Sequence, residues 1–284
     1  MEIKKLFVVG SGAMGSGIAQ TAATCGIQVI MNDINQEVVE RGYNKIKKSL
    51  EKAVSKNRMT EEEKDTALNN LTLTVTLEDA KDADFVIEAA TENRQIKLDI
   101  FKQLDEICKP EAILASNTSS IPITEIASAT KRPEQVVGTH FFNPVPAMKL
   151  LELIVGHVTS DETFAAAEAL GKQLNKVTIK SIDKGGFVVN RLVDPFINEA
   201  VFMLEEGVGT AEDIDNGCKF GLNHPMGPLA LGDMIGWDVM LAVMEVLYAE
   251  YGDTKYRPAP LMRRMVRAGH LGVKTGKGVY DYSK

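Results

Sequence analysis

The chain has 284 residues, 44% hydrophobic and 25% charged, with a formal net charge of −7 and a pI of about 5.3. That is a globular composition, long enough for one or two domains, and its acidity argues against nucleic acid or an anionic membrane surface as the main partner. No apolar stretch approaches the ~20 residues needed to cross a bilayer, and Met1–Lys5 runs directly into a strand pattern, so no signal peptide is expected.

Cys25, Cys108 and Cys218 are odd in number, far apart and without a CxxC spacing. They read as reduced thiols of a cytoplasmic protein, and no metal site is expected. No internal repeat or low-complexity segment interrupts the chain.

Lys5–Val9 is a continuous apolar run, as a buried parallel strand requires. Gly10-Ser-Gly-Ala-Met-Gly15 follows at once and opens a helical pattern that reaches Cys25. A second run, Gln28–Met31, ends at Asp33. A lone GxGxxG is weak evidence, but between a strand and a helix, with an acid beyond the next strand, it is a dinucleotide-binding signature. Gly10 permits the turn, Gly12 lets the backbone approach a pyrophosphate, and Gly15 allows helix and strand to pack closely. The amides of Ala13, Met14 and Gly15 at the helix start then face the phosphates. Asp33 would accept bonds from the ribose hydroxyls and repel a 2′-phosphate, which favours NAD over NADP. The alternative is a structural glycine turn with a surface Asp.

Residues 35–70 read as a helical hairpin inserted in the αβ alternation. Its first helix, about Gln36 to Lys56, carries Arg41, Lys45, Lys47, Lys48, Lys52 and Lys56. Its second begins at Thr60-Glu-Glu-Glu, a capping box. The hairpin is either a solvated charged surface or a docking face for an anionic substrate tail. Ser49 and Lys56, seven apart, share one of its faces.

Strand patterns then recur at Leu71–Val75, Phe85–Ala89 and Ala112–Ala115, with a helix from Arg94 to Cys108. Ligands of open α/β sheets bind beyond the carboxyl ends of the strands. Glu92, Lys97, Ser119, His140 and Asn143 all fall at or after such ends. Taken singly, Glu92 and Lys97 also suit an ordinary helix start, and Ser119 a turn.

His140 closes one apolar run, and Glu152 lies inside another, Leu150–Ile154, across a loop with two prolines. Such a loop brings the two together, and a carboxylate on one imidazole nitrogen prepares the other to take a proton. A loop histidine beside a salt-bridged strand glutamate is the plainer reading.

A helix from Ser160 to Leu174 and a strand at Val177–Lys180 follow. Beyond Asp183-Lys-Gly-Gly the pattern turns helical: Val188–Glu206, Ala211–Phe220, Leu229–Tyr251 and Pro260–Ala268. The domain boundary is expected at 183/184. The apolar residues of the helical part (Leu229, Leu231, Met234, Ile235, Trp237, Met240, Leu241, Met244) suit either a dimer interface or packing within the domain. Asn190, a polar residue in Val-Val-Asn-Arg-Leu, needs partners if buried. Lys274 lies in a basic glycine loop without P-loop spacing.

In order and over essentially the whole length, GSGAMGSGIAQ, EAATEN, ASNTSSIPITEIA, HFFNPVPAMKLLELI, GFVVNRL, HPMGPLALGDMIG and GVKTGKGVYDY resemble the 3-hydroxyacyl-CoA dehydrogenases. They are most similar to the bacterial branch that handles four-carbon thioesters in butyrate-forming metabolism. HFFNP followed by the glutamate is the most specific of these motifs. The resemblance implies an α/β, Rossmann-like NAD-binding domain followed by an all-helical dimerisation domain. It implies a homodimer or higher homo-oligomer and an acyl-CoA substrate, acetoacetyl-CoA or 3-hydroxybutyryl-CoA. By position, His140 matches the catalytic base and Glu152 its orienting partner; Ser119 and Asn190 match the groups that hold the substrate's C3 oxygen. Asp33, Glu92, Lys97, Ser119 and Asn143 match cofactor contacts, with Lys274 a weaker one. Ser49, Lys56 and Ser119 match contacts to the CoA substrate. One departure is Gly185-Gly-Phe, where relatives usually have Pro-Gly-Phe, which is expected to loosen the junction between domains. Competing readings are another β-hydroxyacid dehydrogenase, against which the His140–Glu152 constellation weighs, and a non-catalytic NAD-binding relative.

Overall fold

The computed structural model describes residues 2–283. It divides into two compact units, Met1–Lys184 and Gly185–Lys284.

The first unit is built on one eight-stranded sheet. Its strands are Lys5–Val9 (β1), Gln28–Asn32 (β2), Leu71–Thr74 (β3), Phe85–Glu88 (β4), Ile113–Ser116 (β5), Val136–Phe141 (β6), Leu150–Val155 (β7) and Val177–Ile182 (β8). They lie in the order β3-β2-β1-β4-β5-β6-β7-β8. Neighbours are parallel except β6 and β7, which pair antiparallel. The strand order reverses at β1, between β2 and β4, and a crevice at such a switch point is where open α/β sheets bind ligands.

The helices are Ala13–Thr24 (α1), Gln36–Ser55 (α2), Glu61–Asn69 (α3), Arg94–Ile107 (α4), Ile123–Ala127 (α5) and Asp161–Gln173 (α6). The central strands are buried on both faces, as their unbroken apolar runs require. Leu6, Val8, Ile18, Val29, Met31, Phe85, Ile87, Val137, Leu151 and Leu153 form the core.

In α2, Val39, Gly42, Ile46 and Leu50 are buried at helical spacing, while Lys45, Lys47, Lys48, Ser49, Lys52 and Lys56 are exposed. The hairpin therefore stands on an apolar seam and presents a basic face to solvent. Thr60 and Glu63 form the capping box that starts α3.

The second unit contains Val189–Glu206 (α7), Ala211–Asn216 (α8), Pro228–Ile235 (α9), Trp237–Tyr251 (α10) and Pro260–Arg267 (α11). The single helix expected over Leu229–Tyr251 is two. Gly236 has φ +105°, a conformation that an α-helix cannot hold, and it turns the chain between α9 and α10. The helix expected over Ala211–Phe220 ends at Asn216 and continues as a wider π turn, Gly217–Gly221. Leu229, Trp237, Met240 and Met244 pack inside the unit, whereas Met234 is 55% exposed and Ile235 37%.

Two buried carboxylates tie the carboxy-terminal segment to these helices. Asp233 accepts bonds from Trp237 Nε1, Val279 N, Tyr280 N and Tyr282 Oη. Asp215 accepts from Leu229 N, Ala230 N and Tyr280 Oη. A third acid is treated differently. Asp194 on α7 is 4% exposed, its Oδ2 has no hydrogen-bond partner, and burial pushes its carboxyl up to about 7.

At the junction, the Gly185 carbonyl accepts a bond from Tyr251 Oη at 3.1 Å. A side chain at Gly185 would stand 3.2 Å from Glu250 Cγ and Tyr251 Cε2. The glycine expected to loosen this segment is thus anchored through its backbone, in a space with little room for a Cβ.

Candidate active site

The glycine turn after β1 has the form its sequence predicts. Gly10 has φ +94°, and a Cβ there would come within 2.6 Å of the Ala89 carbonyl. A Cβ on Gly15 would lie 1.8 Å from the Gly10 carbonyl, so the start of α1 can seat against the turn only with glycine at that position. Gly12, the N-cap of α1, has no side chain to cap the helix. The first amides of α1 are orphan donors, the arrangement that receives a phosphate.

A cavity of about 950 Å³ opens here, lined by Gly10, Gly12, Ala13, Met14, Asp33 and Ile34 among others. Gly15 supports this wall from behind. Asp33 Oδ2 accepts bonds from Ser11 N and Ser11 Oγ, both at 2.7 Å, and Oδ1 accepts from Ile34 N at 2.8 Å. A carboxylate offers about four lone-pair positions, so Asp33 both braces the glycine turn and keeps acceptor capacity for a ribose hydroxyl. Its charge opposes a 2′-phosphate. The donor set, the open helix start and the acid fit NAD.

A smaller cavity of about 280 Å³ is lined by Glu92, Lys97, Asn117, Ser119, His140 and Phe141. Met14, Ala89 and Ala90 line both cavities, so the two adjoin. The sheet brings His140 and Glu152 together directly: they face each other across the β6–β7 ladder. His140 Nδ1 and Glu152 Oε2 are 2.7 Å apart, with His140 6% exposed and Glu152 0%. A buried carboxylate on Nδ1 fixes the orientation of the ring and leaves proton transfer to Nε2. The Phe142 ring packs against the imidazole at 4.6 Å between centroids.

Glu92 and Lys97 occur as parts of a network rather than as a simple helix-start pair. Glu92 Oε1 accepts from Thr118 Oγ1, Ser119 N, Ser119 Oγ, Ser120 N and Ser120 Oγ. Burial acts to raise the Glu92 carboxyl, but Lys97 and the Thr118, Ser119 and Ser120 donors outweigh it and hold the carboxyl below its ordinary range. Lys97 is 1% exposed and its ammonium lies on Glu88 as well as Glu92. Sequence reading missed Glu88, a charge inside the apolar strand Phe85–Glu88. It also missed Asn117, whose Oδ1 accepts from Phe141 N at 2.9 Å beside His140. The signal for Glu88 was present, since a carboxylate in a buried strand requires a partner.

The remaining predicted residues lie elsewhere. Asn143 is exposed in the β6–β7 loop, before the cis bond to Pro144. Ser49 and Lys56 are exposed on and just after α2. Asn190 and Lys274 belong to the second unit: Asn190 is half-buried in the first turn of α7, and Lys274 pairs with Asp238 at 2.5 Å. Among the described residues no group of His, Cys, Asp or Glu is placed to hold a metal ion.

Comparison with known proteins agrees over the full length. The family described as 3-hydroxyacyl-CoA dehydrogenase, NAD binding domain, matches residues 5–184, and that described as 3-hydroxyacyl-CoA dehydrogenase, C-terminal domain, matches residues 186–282. A probable 3-hydroxybutyryl-CoA dehydrogenase of Bacillus subtilis is 52% identical, over 100% of this chain and 99% of its own. A 3-hydroxybutyryl-CoA dehydrogenase of Clostridioides difficile is also 52% identical, over 99% and 100%. The crystal structure of (S)-3-hydroxybutyryl-CoA dehydrogenase from Ralstonia eutropha superposes with a TM-score of 0.97 at 53% identity and covers 100% of both chains.

Proposed function

The chain belongs to the 3-hydroxyacyl-CoA dehydrogenase family, and we propose that it interconverts (S)-3-hydroxybutyryl-CoA and acetoacetyl-CoA with NAD(H). The observation that carries this reading is the buried His140–Glu152 pair, whose histidine lines a cavity adjoining the larger one at the glycine turn. Full-length relatives at about half identity bear the same name.

The nicotinamide, when bound, accepts or supplies the hydride at the substrate's C3. The protein's own groups handle the proton. In oxidation His140 takes the C3 hydroxyl proton; in reduction its protonated form returns it. Glu152 holds the ring through Nδ1 and stabilises the imidazolium. Ser119, fixed by Glu92, and Asn190 polarise the C3 oxygen. Asn143 would contact the nicotinamide end of a bound cofactor, Glu92 and Lys97 would line its pocket, and Lys274 would be a peripheral cofactor contact. Ser49 and Lys56, with Ser119, contact the CoA substrate, which gives the basic face of α2 its purpose. The NAD-binding domain with its hairpin, expected to end at 183, is the unit that runs to Lys184, and the helical domain the unit that begins at Gly185.

A homodimer or higher homo-oligomer and a cytoplasmic location complete the reading. Met234 and Ile235, exposed on α9, support self-association, and three unpaired cysteines support a reducing compartment. Neither nucleic acid nor membrane is a partner in this reading. Among the described residues no helix is long and apolar enough to cross a membrane.

The test is NADH oxidation with acetoacetyl-CoA, run beside NADPH and free acetoacetate. Rapid turnover that requires the thioester and prefers NADH is expected. Bound NADH without turnover of any substrate would refute the enzymatic reading.

A further inference from the structure

We propose that Glu88 is a positioning residue for this reaction, acting on Ser119 through Lys97 and Glu92. The inference rests on the functional reading above, in which Ser119 meets the substrate.

Glu88 ends β4 and is fully buried. Its two oxygens take the Lys97 ammonium at 2.8 and 2.9 Å, Ser116 Oγ at 2.7 Å and Ala90 N at 2.8 Å. This satisfies a carboxylate that would otherwise be costly to bury. Lys97, also buried, thereby has its ammonium fixed at one point, from which it reaches Glu92 Oε2 at 3.4 Å. Glu92 divides its two oxygens: Oε2 faces Lys97 and Oε1 gathers the donors of Thr118, Ser119 and Ser120. In the loop carrying Ser119, the Ser119 and Ser120 amides bond to that oxygen, and Thr118 Oγ1, itself held by it, receives the Ile121 amide. Two carboxylates thus share one ammonium. The buried carboxylate decides where the ammonium sits, and the ammonium decides where the other carboxylate holds the loop. Ser119 and His140 line one cavity, so the relay sets the distance between a group that polarises the substrate and the group that moves its proton.

Glu88→Gln keeps the shape and removes the charge. Lys97 then has Glu92 as its remaining carboxylate and draws it away from the Ser119 and Ser120 donors. Two readouts follow. In the absence of ligand, amide exchange of residues 117–121 should accelerate about tenfold or more, the equivalent of losing charge-assisted bonds. With acetoacetyl-CoA, kcat should fall about 10- to 100-fold at a nearly unchanged Kd for NADH, as displacement of a reacting geometry by a remote change can do. In a Ser119→Ala background the same substitution should cost little more, because both changes act through one side chain.

A merely structural Glu88 predicts losses that multiply with those of Ser119→Ala, and exchange that rises throughout the unit or not at all; either overturns the proposal. If Glu88→Gln fails to fold, Glu88→Leu with Lys97→Met removes both charges in an apolar replacement of the kind that buried pairs tolerate. That folded variant should still show fast exchange at 117–121, and protected amides there would refute the relay. An inactive wild-type enzyme would overturn the functional reading, while the exchange measurement would still decide the relay.

Discussion

Replacing His140 with Gln separates the chemistry of this site from its architecture. The imidazole is 6% exposed and bonded through Nδ1 to Glu152, itself fully buried, at 2.7 Å. The glutamine amide can donate to the same carboxylate but cannot accept and return a proton at neutral pH. A positioned general base is worth ~10²–10⁴ in rate, or about 2.7–5.4 kcal/mol of barrier. Turnover of acetoacetyl-CoA, followed by loss of NADH absorbance, should fall by that factor. The Kd for NADH, measured by fluorescence titration, should change less than about twofold, because the glycine turn and Asp33 line the neighbouring cavity and His140 does not. Stability should also be kept. His140→Ala, by contrast, removes the bond to a buried charge and should lower the unfolding free energy by about 1.5–3 kcal/mol as well. A Gln variant with kcat within tenfold of wild type would refute the assignment of His140 as base. A Gln variant as destabilised as Ala would refute the argument that the carboxylate needs only a donor.

Asp33→Ala removes both the ribose acceptor and the brace on Ser11, so KM for NADH should rise; without the opposing charge, the NADPH:NADH ratio of kcat/KM should rise about tenfold or more. An unchanged ratio would show that Asp33 does not face the 2′ position. Asp233→Ala leaves the indole and three further donors without their acceptor. Urea unfolding of the full chain should report a loss of about 3 kcal/mol or more, and a loss under 1 kcal/mol would contradict the role given to this carboxylate. Asp194 predicts a pH effect of opposite sign to an ordinary salt-bridged acid. Its folded pKa, about 7, lies above the unfolded value, so the native state binds more protons in between. The contribution of Asp194 to stability is therefore most favourable below its unfolded pKa and declines as pH rises towards 7, by on the order of a few kcal/mol. Asp194→Asn should raise the Tm at pH 8 and leave it nearly unchanged at pH 4; an equal shift at both would refute the titration.

The sequence made the two ends of the site legible for different reasons. The glycine turn is readable because Gly10, Gly12 and Gly15 answer steric demands that a linear motif can state, and Asp33 follows at the end of the next strand. The His140–Glu152 contact is readable because antiparallel pairing across a short loop is the simplest way to join two apolar runs. The middle of the site is not local in this sense. Glu88, Lys97, Glu92 and Ser119 come from the ends of two strands, a loop and a helix, and their partnership depends on the β4–β5 register. Taken singly, Lys97 reads as half of an ordinary helix-start pair with Glu92, because helical spacing cannot show a lysine folded beneath its own helix start onto Glu88 of the sheet. The expected long helix over Leu229–Tyr251 failed at Gly236, where apolar periodicity continued through a turn.

The single antiparallel step in the sheet makes the His140–Glu152 pair a record of how the chain has threaded. Side chains alternate faces along a strand, so slipping β7 by one residue against β6 would send Glu152 to the opposite side and set Leu151 or Leu153 beside His140. No near-native misfold of these strands can then be partly competent. After denaturation and dilution, recovered turnover should count correctly registered molecules one by one, whereas helix content, regained equally by mispaired chains, should overstate the yield.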